Sequence, residues 1–298
     1  MTTLKQVQQH IDDLVAQDKR DEKQVNTYYQ QALTVIKNSL SAFFSRYADE
    51  TGLSITDVTN EANAWDLQQF ENVITSLMNN LPMNDDLNKR LIAAKATAQI
   101  DKQHTLSSIV TAGLAIATAK SQQYGNKALK QAFSDEYTYR TGRRALPNMY
   151  PKENVEDFNT RVWANNDIST INANHTLNKV IRKGLDKPAL RTLLADNQMK
   201  PKANNLDSAT QTGISFVKRN LKINSIYSTN SATHTAFSES QSIDYVKWTT
   251  EEDDRVCDIC EPMDGNVYEL SDAPVPQDDT HFGCRCSINP CDKDGNLI

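Results

Sequence analysis

All five cysteines of the 298-residue chain fall in its last fifty residues, and their spacing is that of a soft-metal site. Cys257 and Cys260 form a CxxC pair. After twenty intervening residues, His281, Cys284 and Cys286 form an HxxCxC cluster, and Cys291 follows. A tetrahedral thiolate and imidazole site needs two ligands from one tight turn, two from another, and a connection long enough to fold back. Cys257, Cys260, His281 and Cys284 meet that requirement as a Cys3His zinc site, with Cys286 competing for the fourth position. Met1 to Gln30 is polar and contains nothing resembling a signal peptide, so metal-held thiolates are preferred to disulfides or free thiols. Four N/S ligands saturate zinc and leave no open position for water, so a structural staple is expected rather than a catalytic ion.

No Ser/His/Asp or Cys/His arrangement has supporting context, no catalytic residue is assigned, and the chain is expected not to be an enzyme. His104, His175 and His234 lie on helical patterns without partner motifs, and Cys291 reads as an exposed bystander thiol. The alternative is a zinc-dependent hydrolase or nuclease. It requires a general base, for which Glu251 and Asp254 are the nearby carboxylates, and an open ligand position.

Charge is uneven. Residues 249–298 hold thirteen acidic and three basic side chains, a balance of -10, whereas the rest of the chain stands at +4. Lys179 to Lys222 alone carries ten basic and three acidic residues. Such a segment can track phosphates, but aromatic stacking residues are almost absent, which favours a solvated helix face. Any contact with double-stranded DNA should be non-specific and use Lys179–Lys222, because the acidic C-terminal end repels phosphates. No run of eighteen apolar residues occurs, so no membrane-spanning helix is expected.

The elements that must position the cysteines read as mainly α, with helical N-terminal and middle regions and a small, zinc-stapled C-terminal α+β module. Val25, Tyr28, Ala32, Ile36, Leu40, Phe43 and Tyr47 form one helical stripe, stopped near Gly52. Ser54 or Thr56 is expected to cap a second helix carrying Trp65, Phe70 and Val73. A third is expected from Leu87 through Ala98 towards Ala119, and Tyr124 to Tyr150 reads as a connector. Helices are expected again over 155–163, 169–183, 187–195, 209–221 and 228–240, with a polar loop from Gln198 to Asn205. Only Tyr245–Thr249 and Asn266–Tyr268 carry β-pattern.

The order of features around the cysteines is more specific than any one of them. Lys247-Trp248 precedes Asp253-Asp254-Arg255-Val256-Cys257-Asp258-Ile259-Cys260. Met263-Asp264-Gly265-Asn266-Val267-Tyr268 follows, then an acidic loop from Ala273 to Thr280, then His281-Phe282-Gly283-Cys284-Arg285-Cys286. This closely resembles the C-terminal signature of phage minor head proteins of the Mu protein F type, the phage head morphogenesis family. The resemblance is strong over about 245–290 and weaker back to about 155; the first 150 residues share only helical character. It implies a minor capsid protein of a tailed phage, associated with the portal and the inner head during assembly. Its implied partners are the portal and the major capsid or scaffolding proteins, and its implied place is the virion. On this reading residues 1–150 are the portal and capsid interaction region and 151–298 the head morphogenesis domain. Two departures stand out. Ser228-Thr229-Asn230 replaces the usual Arg-Thr-Glu before the Trp and removes a charged pair, and His-Phe-Gly-Cys replaces the commoner His-Pro-Asn-Cys while keeping every ligand.

Overall fold

The computed structural model describes residues 3–49, 52–79, 81–195, 205–240, 242–250 and 256–298. Among them are eight α-helices: α1 (Leu4–Tyr47), α2 (Ile55–Thr59), α3 (Ala64–Met78), α4 (Asp85–Ala98), α5 (Lys102–Thr141), α6 (Lys152–Arg182), α7 (Lys187–Leu193) and α8 (Leu206–Ser238). A three-stranded antiparallel sheet follows: β1 (Tyr245–Thr249), β2 (Val267–Glu269) and β3 (Ser287–Cys291), in the order β2-β1-β3. The chain is therefore mainly helical with a small terminal sheet, as its pattern indicates. No helix of the described residues is long and apolar enough to cross a membrane.

Several boundaries differ from the sequence reading, each for a local reason. Ser54 caps only the one-turn α2, and the helix bearing Trp65 has its own N-cap, Asn63, which accepts from the Trp65 and Asp66 amides. The third helical region divides at residues 99–101, where Lys102 N–H turns back to the Asn60 carbonyl. Its second half then runs to Thr141, so most of the expected connector is helix. Phe133 and Tyr137, one turn apart, keep this stretch buried on one face. The helices expected at 155–163 and 169–183 are one helix, α6, and those around 209–221 and 228–240 are one helix, α8. Residues 196–204, most of the expected polar loop, lie outside the described residues.

The chain divides into two compact units, each drawing on both sides of residue 150. One comprises residues 24–124 and 159–218. Its core is aliphatic and aromatic, with Leu33, Ile36, Phe43, Phe70, Val73 and Ile109 almost fully enclosed. Helices α1 and α5 approach closely at Gly113, where a Cβ would lie 2.6 Å from Ile36 Cδ1. A short polar chain crosses this core: Tyr29 Oη and Thr118 Oγ1 lie 2.9 Å apart, and Thr118 donates to Asn166 Oδ1 at 2.9 Å.

The other unit comprises residues 1–23, 125–158 and 219–298 and contains the whole sheet. In β1, Val246 pairs with Tyr268 on one side and Pro290 on the other, and Trp248 pairs with Ile288. Val246, Trp248 and Ile288 meet Phe133 and Phe237 in the core, together with Cys260, Cys284 and Cys286.

Candidate metal centre

Two turns present the cysteines and the histidine. In the first, the amides of Cys260 and Glu261 both donate to the Cys257 carbonyl at 2.9 Å, and the Cys260 N–H also lies 3.4 Å from Cys257 Sγ. This aims backbone donors at a sulfur that carries charge when deprotonated. In the second, Cys284 N–H donates to the His281 carbonyl at 3.1 Å, and Gly283 takes φ +84°, a conformation that disfavours side chains. The Gly283 amide is held by Gln277 Oε1 at 3.1 Å, which fixes the end of the acidic loop against the turn.

The structure brings together all five residues expected as ligands. Donor atoms of Cys257, Cys260 and His281 lie within 4.8 Å of one another, and so do those of Cys260, Cys284 and Cys286. Cys260 belongs to both groups. Cys260 and Cys284 Sγ atoms are 3.7 Å apart. That matches the edge of a tetrahedron with bonds of about 2.3 Å, as zinc makes with thiolate sulfur, and is far longer than the ~2.05 Å of a disulfide. The residues therefore fit a metal ion. His281 Nδ1 sits 3.3 Å from the Phe282 carbonyl; donation there leaves the Nε2 lone pair for an ion.

Burial divides the donors. Cys260, Cys284 and Cys286 are buried, while Cys257 and His281 are half-buried and line a cleft of about 370 Å3 shared with Lys19, Glu22 and Lys222. Hydrogen bonding from Cys286 pulls the Cys284 thiol down to about 5. Burial, followed by the Cys284 charge, pushes Cys260 up to about 12, and Cys286 is raised by its hydrogen bond to Cys284 and by burial. The group thus holds one thiolate readily, and further thiolates require a compensating cation. Trp248 Nε1, buried in the same core, has no hydrogen-bond partner among the described residues.

The segment between the ligands holds what the sequence reading missed. Arg285 is buried and forms a fork on the Asp18 carboxylate, with Nε 2.9 Å from Oδ2 and the second guanidinium nitrogen on Oδ1. Thr229 Oγ1 at 3.3 Å and Ser225 Oγ at 3.2 Å complete its shell. Neutral residues of α8 thus serve Arg285 where a charged pair was expected to be lost, and the carboxylate comes from α1. Asn230 donates to the Pro276 carbonyl at 2.7 Å and anchors the acidic loop. A second network centres on Glu136, which receives Arg140 Nε at 2.7 Å and Thr233 Oγ1 at 3.0 Å and lies 2.6 Å from His10 Nε2. Burial would raise Glu136, but the Arg140 charge and the His10 hydrogen bond override it and hold the carboxyl down to about 2. Arg140 continues to Asn289 Oδ1 at 2.8 Å and Ser287 Oγ at 2.9 Å, tying α5 to β3. Glu136 and Arg140 stand four residues apart on α5, a spacing the sequence does carry, whereas nothing in one sequence links Asp18 to Arg285, 267 residues away.

The remaining candidates are dispersed. Cys291 is 2% exposed and part of β3, a correction to its reading as a surface bystander. His104 pairs with Asp101 at 2.8 Å, and His175 is exposed on α6. Burial lowers the His234 pKa, and its Nε2 lacks a partner among the described residues. Glu251, Asp253, Asp254 and Arg255 lie outside the described residues.

Residues 179–289 match the family model described as Phage Mu protein F like protein. The match runs from the end of α6 into β3 and includes all five metal-ligand candidates. No curated protein and no solved structure matches the chain.

Proposed function

We propose that this chain, whose residues 179–289 fall in the phage Mu protein F like family, is a minor head protein of a tailed phage. It works without catalysis beside the portal and the inner head during capsid assembly, and it is carried in the virion. The match over the cysteine segment is the observation that carries this reading. A zinc ion held by four of Cys257, Cys260, His281, Cys284 and Cys286 would close the terminal module as a staple. The protein supplies the thiolates, the imidazole and the buried packing. Residues 1–150 would engage portal, major capsid or scaffolding subunits, and residues 151–298 would form the head morphogenesis region.

Contact with packaged DNA is a second reading, supported by five exposed cations on α6, α7 and the turn between them: Lys179, Arg182, Lys183, Lys187 and Arg191. Lys200 and Lys202 of the same segment lie outside the described residues. A zinc hydrolase or nuclease is less well supported, because five soft donors for one ion leave no call for a water ligand.

Quantitative mass spectrometry of purified virions, before and after DNA ejection, tests the assignment. A few copies per particle, and heads that fail to mature when the gene is interrupted, are expected. Particles that lack the chain and mature normally without it would overturn the reading.

A further inference from the structure

The two ligand turns do more than hold donors: each carries a large apolar side chain at its tip. Ile259, inside the CxxC turn, is 50% exposed, and Phe282, beside His281, is 66% exposed. Their neighbours Cys260 and His281 have donor atoms within 4.8 Å, so the two tips are held together by the same cluster. Asp258 and Glu261 in the first turn, and Asp278 and Asp279 in the loop leading into the second, are all exposed. An apolar centre with a charged rim is the composition of a contact surface, and here the exposed charges of the described turns are acidic, while the half-buried Lys222 lies beside Gly283.

The chain also carries the complement. On α6, Ile168, Ile171, His175, Lys179 and Arg182 are all exposed and recur at intervals of three and four, forming one stripe about 21 Å long. Two isoleucines occupy one end of the stripe and the cations the other. Among the described residues, neither Lys179 nor Arg182 has an ion-pair partner. Nucleic acid alone does not account for this surface, since phosphates gain nothing from the isoleucines and stacking aromatics are absent.

We propose that copies of this chain associate head to tail, with the Ile259/Phe282 tips of one copy docking on the α6 stripe of the next. The contact is heterologous, so it propagates into a ring or a string of copies rather than closing as a two-fold dimer. Charge complementarity sets the register, and the small apolar patch at each end keeps the contact weak and salt-sensitive. The inference rests on the geometry of the turns and does not require the phage assignment.

Sedimentation velocity of the full chain over a concentration series tests it, with metal content measured on every sample. At low ionic strength wild type should grow beyond the dimer with concentration, and about 0.5 M salt should return it to one chain. Phe282→Asp and Ile171→Asp/Lys179→Glu should each stay monomeric at normal metal content, raising the association concentration at least about tenfold. Mixed in equal amounts, they should form a two-chain complex and nothing larger, because each supplies the face the other lacks. Should Phe282→Asp lose metal, Glu261→Lys and Lys179→Glu repeat the experiment through the rim alone. A wild type that stays monomeric, a mixture that does not pair, or variants that associate like wild type would overturn the proposal. So would a stripe whose loss affects only retention of a DNA duplex.

Discussion

In the unit formed by residues 24–124 and 159–218, the interior is filled by leucine, isoleucine, phenylalanine and alanine from long helices. In the unit formed by residues 1–23, 125–158 and 219–298, four thiols and two arginines with their carboxylates share the interior with aromatic side chains. The first kind of core rests mainly on apolar pattern and close packing, around the Tyr29–Thr118–Asn166 chain and a Lys37–Asp207 pair, and holds no cluster of thiols that needs a metal. The second is conditional. Its thiolates need a cation, and its buried ions need every partner, because one left alone costs far more than the pair contributes. The five metal-ligand candidates all lie in the conditional unit, whereas the family match draws on both, residues 179–218 from the apolar unit and 219–289 from the conditional one.

The comparison breaks most sharply at Cys260, the donor common to both ligand groups. Cys260→Ser should abolish metal retention and remove on the order of 10 kcal/mol of metal-linked stabilisation. Hydrogen exchange should then become fast in β1, β2 and β3 while α3 and α4 stay protected. Equal loss of protection in both units would break the distinction. Next comes the Asp18–Arg285 fork. Asp18→Ala strands a buried guanidinium and should cost about 3–5 kcal/mol in denaturant unfolding, whereas Asp18→Leu with Arg285→Met should recover most of it. In the apolar unit, Ile36→Ala should cost about 2–5 kcal/mol, and by the same amount with and without a chelator. A chelator-dependent value would show that the apolar core is also conditional.

The pH response is silent at neutrality and sharpens the contrast in acid. Glu136 titrates at about 2 in the folded chain and near about 4.3 when unfolded. The unfolded state therefore binds the proton first as pH falls. Stability from this carboxylate is complete above the unfolded value and is lost as pH falls from there through about 2. Exchange of the amides around Glu136 should accelerate over that window, and Glu136→Gln should flatten the response.

Much of this was legible. The α1 stripe, the Asp186–Pro188 start of α7, β1, β2 and the gathering of the five donors all follow from short-range pattern. The rest depends on contacts that pattern does not carry. Asp18 and Asp21 look solvent-facing on a polar helix yet are buried, and the partner of Asp18 is 267 residues away. Strand β3 hides behind Asn289 and Pro290; it lies at the edge of the sheet, where a proline is tolerated. Cys291 looked exposed because its neighbours Asp292 and Lys293 are charged, but β3 places its side chain inward. Helices α6 and α8 each looked like two because polar residues interrupt their stripes, yet these are buried with partners: Asn165 of α6 donates to the Gly213 carbonyl of α8, and Thr229 of α8 accepts from Arg285.

The most direct measurement is the metal content per chain of freshly purified, reduced protein prepared without added metal, by elemental mass spectrometry. The account predicts about one zinc per chain, held by the thiolate cluster. Protein that is folded, reduced and free of metal would contradict it.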